Sequence, residues 1–132
     1  MIVYVDTSAL LKRVVLEPES EAVRATLTAH DAAGDLLTAS SLAWLEASRA
    51  LRRAKVAQVD AVVERALSGV AEHRLTTGLL DRARRVGPDE LRSLDAVHLA
   101  SAVSVGAQAM LTYDDRLARA ARSVGMSVLS PS

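Results

Sequence analysis

An unbroken apolar run, Ile2-Val3-Tyr4-Val5, ends at Asp6 and is followed at once by Thr7-Ser8-Ala9-Leu10-Leu11. A short run without alternation, rich in β-branched residues, reads as a strand buried on both faces, as in a parallel sheet. Such a sheet requires crossover connections, so the rest of the chain must supply helices to cover it. A carboxylate placed where the strand stops lies at the carboxyl edge of the sheet. Open α/β folds bind their ligands along that edge.

The remaining punctuation agrees with an α/β domain. A short helix runs from about Ser8 to Leu16 and stops before Pro18, and a second covers about Glu19 to Ala33 and ends at Gly34. Leu36 to Thr38 is a brief strand. Ser40 or Ser41 caps a helix to about Val56, and another follows from Val59 to Ser68. Val70 to Leu75 reads as a weak strand. Thr76 or Thr77 caps a helix to Val86, and Ser93 caps one to Val105. Ala109 to Thr112 is a strand, Asp115 to Val124 a helix, and Met126 to Leu129 the last strand. Strands alternating with helices imply a parallel sheet flanked by helices. Neither linker nor repeat divides residues 1–132, so we read a single domain.

Composition narrows the chemistry. The chain has no Cys, which excludes disulfides, thiolate-bound zinc and thiol catalysis and fits a cytoplasmic protein. Met1 leads directly into the first strand, so a signal peptide is not expected, and no apolar stretch is long enough to span a membrane. Lys+Arg and Asp+Glu both count 16, so bulk charge does not mark a nucleic-acid binder, and only local patches can serve. Fourteen of the basic residues are Arg, a side chain suited to bidentate pairing with phosphate or carboxylate. Trp44, Tyr4 and Tyr113 are the only aromatics, few for stacking bases.

Four acids stand out, each with a plain alternative. Asp6 can serve as a helix N-terminal acid, worth about 0.3–1 kcal/mol. Asp114 follows the strand Ala109-Met110-Leu111-Thr112, and it or Asp115 can simply cap the next helix. Asp95 sits in the first turn of a nearly all-apolar helix, a turn expected to be buried, where a carboxylate needs a partner or a metal. His98, one turn on, reads as a packing or hydrogen-bonding residue, because no second His lies at metal spacing. Glu46 falls at the boundary between the apolar arc of its helix and the arc carrying Arg49, Arg52 and Arg53. It either pairs with Arg49 or Arg53 or leans over the sheet edge. Arg116, Arg119 and Arg122 recur at spacing three on the helix after Asp115, a face for phosphate or for solvent.

Together, Met1-Ile2-Val3-Tyr4-Val5-Asp6-Thr7-Ser8, the mid-helix Glu46, Ser93-Leu94-Asp95-Ala96-Val97-His98-Leu99-Ala100 and Leu111-Thr112-Tyr113-Asp114 occur in the order and spacing of PIN-domain ribonucleases. The chain most resembles the VapC-type toxins of bacterial toxin–antitoxin pairs. The resemblance implies a PIN-like parallel sheet of order 3-2-1-4-5 and metal-dependent hydrolysis of RNA. It implies Asp6, Glu46, Asp95 and Asp114 as catalytic, metal-holding carboxylates. It selects Asp114 over Asp115, leaving Asp115 a possible auxiliary, and it gives Ser8 and Thr112 supporting roles. It also implies an antitoxin partner and a homodimer.

Physical argument supports a cation. Two carboxylates about 5 Å apart repel by about 3 kcal/mol at an effective dielectric near 20. Oxygen ligands without Cys or paired His suit Mg²⁺ or Mn²⁺. Contacts to the RNA substrate are expected from Arg49, Arg52 and Arg53. The competing readings are a metal-free PIN-like binding module for RNA or protein, and a housekeeping nuclease without an antitoxin. A haloacid-dehalogenase-type phosphatase requires a second Asp where Ser8 stands, and a receiver domain requires a late Lys where the only lysines are Lys12 and Lys55.

Overall fold

The computed structural model describes all residues, 1–132. Five strands form one sheet: β1 (Ile2–Val5), β2 (Leu36–Ser40), β3 (Ala71–His73), β4 (Ala109–Leu111) and β5 (Ser127–Leu129). Their spatial order is β3-β2-β1-β4-β5, and every pairing is parallel. Seven helices cover the sheet: α1 (Thr7–Leu11), α2 (Ser20–Ala32), α3 (Ser41–Arg53), α4 (Val59–Ala66), α5 (Thr77–Ala83), α6 (Ser93–Ser104) and α7 (Asp115–Ser123). No helix is long and apolar enough to cross a membrane.

Successive strand residues point to opposite faces, so the continuous apolar runs feed two cores at once. Val3 and Val5 of β1, Leu37 and Ala39 of β2, and Ala109 and Leu111 of β4 join Val23, Leu27, Ala47 and Leu51 in the larger core, under α1 to α4. Tyr4 and Met110, on the other face, join Leu99, Leu117, Ala120 and Ala121 under α6 and α7. A third cluster of Leu42, Leu79, Val97 and Ala100 ties α3, α5 and α6 together. The alanines let helices lie close to the sheet; Ala9, Ala43, Ala47 and Ala120 are completely buried.

β1 is central, paired with β2 through Val3–Leu37 and with β4 through Val5–Leu111. The sheet order reverses between β1 and β4, because the chain fills one side of β1 before crossing to the other. In an open α/β sheet that reversal opens a crevice beyond the carboxyl ends of the two strands. Asp6 follows β1, and Asp114 lies three residues beyond the end of β4.

Several element bounds differ from the sequence reading. α1 ends at Leu11 rather than Leu16, and residues 12–15 continue as turns. There Lys12 pairs with Glu17 and Glu19, and the Arg13 guanidinium donates to the carbonyls of Ala66 and Ser68. These tertiary partners override a helical pattern that Val14 and Val15 support poorly. α5 stops at Ala83, and β3 shrinks to Ala71–His73. Ser40 and Thr76 are the side-chain caps of α3 and α5, accepting from Leu42 N–H and Leu79 N–H. Ser93 is not a cap: Arg92 occupies that position with extended backbone, and Ser93 is the first helical residue. The first turn of α6 is exposed at Arg92, Ser93 and Leu94, and burial begins only at Asp95 and Ala96.

The turn between α5 and α6 depends on Gly87. Its φ is +73°, and a Cβ there would stand 2.9 Å from Leu99 Cδ2 and 3.2 Å from Leu91 Cδ2. Both the left-handed backbone and the close approach favour glycine. Gly87→Ala is therefore expected to lower unfolding stability by about 1–3 kcal/mol. The midpoint of a urea titration checks this; an unchanged midpoint would show that the turn relaxes freely.

Candidate active site

Asp6 is held from two sides. Its Oδ2 accepts from the Ser8 hydroxyl at 2.7 Å and from the Thr112 hydroxyl at 2.9 Å. Ser8 Oγ in turn accepts from Tyr113 N–H, on the segment leaving β4, at 3.0 Å, and Thr112 Oγ1 accepts from Asp114 N–H, two residues on in its own segment, at 3.1 Å. The two hydroxyls thus stitch the end of β1 to the segment leaving β4. Asp6 is 5% exposed and occupies the N-cap position of α1, but its carboxylate makes no capping hydrogen bond to that helix. Its Oδ1 accepts no hydrogen bond and lies 3.7 Å from His98 Nε2.

Asp114 performs two jobs. Its Oδ1 caps α7 by accepting from Leu117 N–H at 2.9 Å, while its second oxygen has no protein donor. Capping and site membership are therefore compatible here. Asp115 is exposed as the first residue of α7 and makes no side-chain contact with the other acids.

Glu46 projects from the second turn of α3 across the crevice. Its Oε1 accepts from Thr7 Oγ1 at 2.7 Å and faces His98 Nε2 at 2.6 Å. It pairs with neither Arg49 nor Arg53. Both arginines are exposed and unpaired, and Arg52 only reaches Asp60 at 3.8 Å. None of the three makes an ion pair with the four acids, although Arg49 stands one turn from Glu46 on α3.

Asp95 enters from the first turn of α6 without any hydrogen-bond partner, half-buried. Burial pushes its carboxyl above the ordinary range, and the charges of Asp114, Asp6 and Glu46 push the same way, against a weaker pull from His98. That coupling shows that the four acids share one electrostatic neighbourhood, although they come from four separate elements.

The sequence reading left His98 as a packing or hydrogen-bonding residue, and its neighbours show how much it organises. Ser40 N–H donates to Tyr4 Oη at 3.0 Å; Tyr4 Oη lies 2.7 Å from His98 Nδ1; His98 Nε2 then meets Glu46. This buried chain runs from the end of β2, through β1 and α6, to the carboxylate on α3. Burial alone would lower the His98 pKa. The Glu46 hydrogen bond and the charges of Asp6, Glu46 and Asp95 outweigh it and hold the pKa above the ordinary value. Burial likewise raises Glu46, but His98 and Thr7 bring it below the usual carboxylate range. Tyr4 and Thr7 carried no signal in the sequence, since one is an ordinary strand residue and the other an ordinary first-turn residue.

No three of these side chains close into a ready-made metal cage. What fits a hard divalent cation is the donor chemistry: carboxylate oxygens on Asp6, Asp95, Asp114 and Glu46 that no protein donor occupies, in a crevice with one imidazole.

The pH dependence of stability tests the buried chain. A folded pKa above the unfolded value means that the His98 contribution is complete below about pH 6.5 and is lost as pH rises through the folded pKa. In chelator, the stability advantage of wild type over His98→Gln, measured by denaturant titration, should therefore shrink as pH is raised from mildly acidic to alkaline. A difference that stays flat across that range would contradict the assignment.

Comparison with known proteins identifies the fold and the family. The family model for the PIN domain matches residues 3–123. Ribonuclease VapC46 of Mycobacterium tuberculosis is 41% identical over 98% of both chains. The crystal structure of VapC20 from the same species, a toxin that cleaves the sarcin–ricin loop, superposes with a TM-score of 0.76 at 18% identity, covering 98% of this chain and 99% of that one. A toxin–antitoxin complex from Klebsiella pneumoniae gives 0.66 at 17% identity over 98% of both. Its sheet order and its near-complete match to that family model place this chain in the PIN-domain family.

Proposed function

We propose that this chain is a metal-dependent endoribonuclease that hydrolyses RNA phosphodiester bonds, acting in the cytoplasm as the toxin of a toxin–antitoxin pair. The observation that carries the reading is the convergence of Asp6, Glu46, Asp95 and Asp114 on one crevice, with the Asp95 carboxyl raised by burial first and by the charges of Asp114, Asp6 and Glu46 second. Helix capping stabilises by about 0.5–2 kcal/mol and cannot account for four acids gathered against their mutual repulsion. The VapC46 ribonuclease, similar along almost the whole chain, supports the same activity.

Asp6, Asp95 and Asp114, with Glu46 directly or through water, would hold Mg²⁺ or Mn²⁺. Such an ion, when bound, lowers the pKa of a water and stabilises charge on a phosphodiester. The chain's own groups fix the arrangement. Ser8 and Thr112 lock the Asp6 rotamer through Oδ2 and leave Oδ1 facing the crevice. Thr7 and His98 occupy Glu46 Oε1 and leave Oε2 free. Ser8 is not a nucleophile, because its proton goes to Asp6 and its oxygen accepts from Tyr113 N–H. No covalent intermediate is needed, and the attacking group is water in line with the leaving ribose oxygen.

An antitoxin partner is proposed by likeness to the Klebsiella complex. A homodimer is proposed as well, and exposed apolar side chains such as Leu16, Leu45 and Leu94 offer surface for such contacts.

The activity is tested with purified protein and cellular RNA. Cleavage should need Mg²⁺ or Mn²⁺ and stop in chelator. Asp95→Asn should lose more than the roughly 10- to 100-fold that removing an outer-shell partner costs. Equal cleavage by wild type and Asp95→Asn would remove the site assignment. RNA binding without divalent-ion affinity would favour a metal-free binding module instead. Growth arrest on expression, relieved by the neighbouring reading frame, separates a toxin from a housekeeping nuclease.

A further inference from the structure

Beside the acid crevice, Pro88, Glu90, Leu91, Arg92, Arg116 and Arg119 line a cavity of about 260 Å³. Three guanidinium groups face one carboxylate there. None of the three arginines makes a hydrogen bond or ion pair within the protein, and all three are exposed, whereas Arg13, Arg82, Arg84 and Arg85 have partners.

The location follows from the fold. Arg92 is the N-cap of α6, three residues before Asp95, and Arg116 is the second residue of α7, two after Asp114. Both helices begin at the carboxyl edge of the sheet, so the cavity lies on the same edge of the molecule as the acids, although none of them lines it. Arg119 lies one turn further along α7, which extends the positive surface away from the crevice. The floor is firm: Leu91 packs on the core of Leu99, Leu117 and Ala120, and the turn at Gly87 fits closely against Leu99.

We propose that this cavity is a phosphate-binding track that holds single-stranded RNA beside the scissile bond. The proposal rests on the ribonuclease reading and names the surface that its substrate uses. Arginine forks match phosphate oxygens in pairs and do so without reading bases. No aromatic side chain lines the cavity, so the contacts are to backbone rather than stacked bases. The track is separate from Arg49, Arg52 and Arg53, which stand on α3 and line no part of this cavity. It also gives a role to two of the three arginines spaced along α7.

A second arginine-lined cavity provides the control. Arg13, Arg24 and Arg65 line about 350 Å³, but Arg13 is already held by the carbonyls of Ala66 and Ser68, in the loop leading to the amino end of β3. Arg24→Gln and Arg65→Gln therefore remove the same charge far from the acids.

The experiment measures binding of a labelled, unstructured RNA oligonucleotide to the whole protein in chelator across a salt series, then cleavage with Mg²⁺. Each of Arg92→Gln, Arg116→Gln and Arg119→Gln should weaken binding by about tenfold. Each should also lower the salt slope by about 0.7. In cleavage, KM should rise while kcat holds, and the two control variants should behave like wild type. Equal losses in the control variants would reduce the effect to net charge and overturn the track. So would cleaving protein whose three variants bind RNA normally, or an acidic peptide that binds as tightly as the RNA with the same variant losses. If no form binds or cleaves RNA, the ribonuclease reading itself fails and the track falls with it, a result distinct from the others.

Discussion

Mutual repulsion among carboxylates is the constraint around which the functional edge of this molecule is arranged. Asp6, Glu46, Asp95 and Asp114 come from the ends or first two turns of separate elements, and the parallel pairing of β1 with β4 fixes the spacing of two of them. Backbone order alone would let these side chains swing apart into solvent. The hydroxyls of Ser8 and Thr112 prevent that for Asp6, and Thr7 with His98 prevents it for Glu46. Each restraint uses one oxygen and leaves the other without a protein donor, and only His98 offsets any of the cluster's charge. Asp95, with no such partner, is raised above the ordinary carboxylate range by burial first and by the charges of Asp114, Asp6 and Glu46 second.

The two cores explain why this edge is rigid. Val3 and Val5 anchor β1 to the layer of α1 to α4, while Tyr4 anchors it to the layer of α6 and α7. Tyr4 also belongs to the polar chain from Ser40 to Glu46. One strand residue thus serves packing on its ring and orientation at its hydroxyl, which is the usual use of a buried tyrosine. Through it, the position of Glu46 depends on β2, β1 and α6 together.

Much of this was legible in the chain. The continuous Ile2–Val5 run and the acid after it marked a buried parallel strand and its functional end, because burial on both faces leaves a compositional signature. The order of the strands came instead from resemblance to a family, since parallel neighbours need not be neighbours in sequence. Asp114 was ambiguous with Asp115 because both fit a cap; three-dimensional placement shows that Asp114 is the cap and that its second oxygen has no protein donor. The involvement of Tyr4, Thr7 and His98 was hidden for a different reason. Their partners lie 94, 39 and 52 residues away, and neither periodicity nor propensity encodes such contacts. Arg49, Arg52 and Arg53 stand out because they share the charged arc of one helix, whereas Arg92 precedes α6 with no periodicity to mark it.

The central claim is that this edge is built to be completed by a cation. The most direct measurement is thermal stability at neutral pH, in chelator and with Mg²⁺, for wild type and Asp95→Asn. A carboxyl whose folded pKa is raised costs stability once ionised. Asp95→Asn should therefore be the more stable protein in chelator, and Mg²⁺ should raise the wild-type midpoint far more than that of the variant. A wild-type midpoint indifferent to Mg²⁺, with Asp95→Asn less stable in chelator, would mean that the acids hold the fold rather than a metal, and would contradict the account.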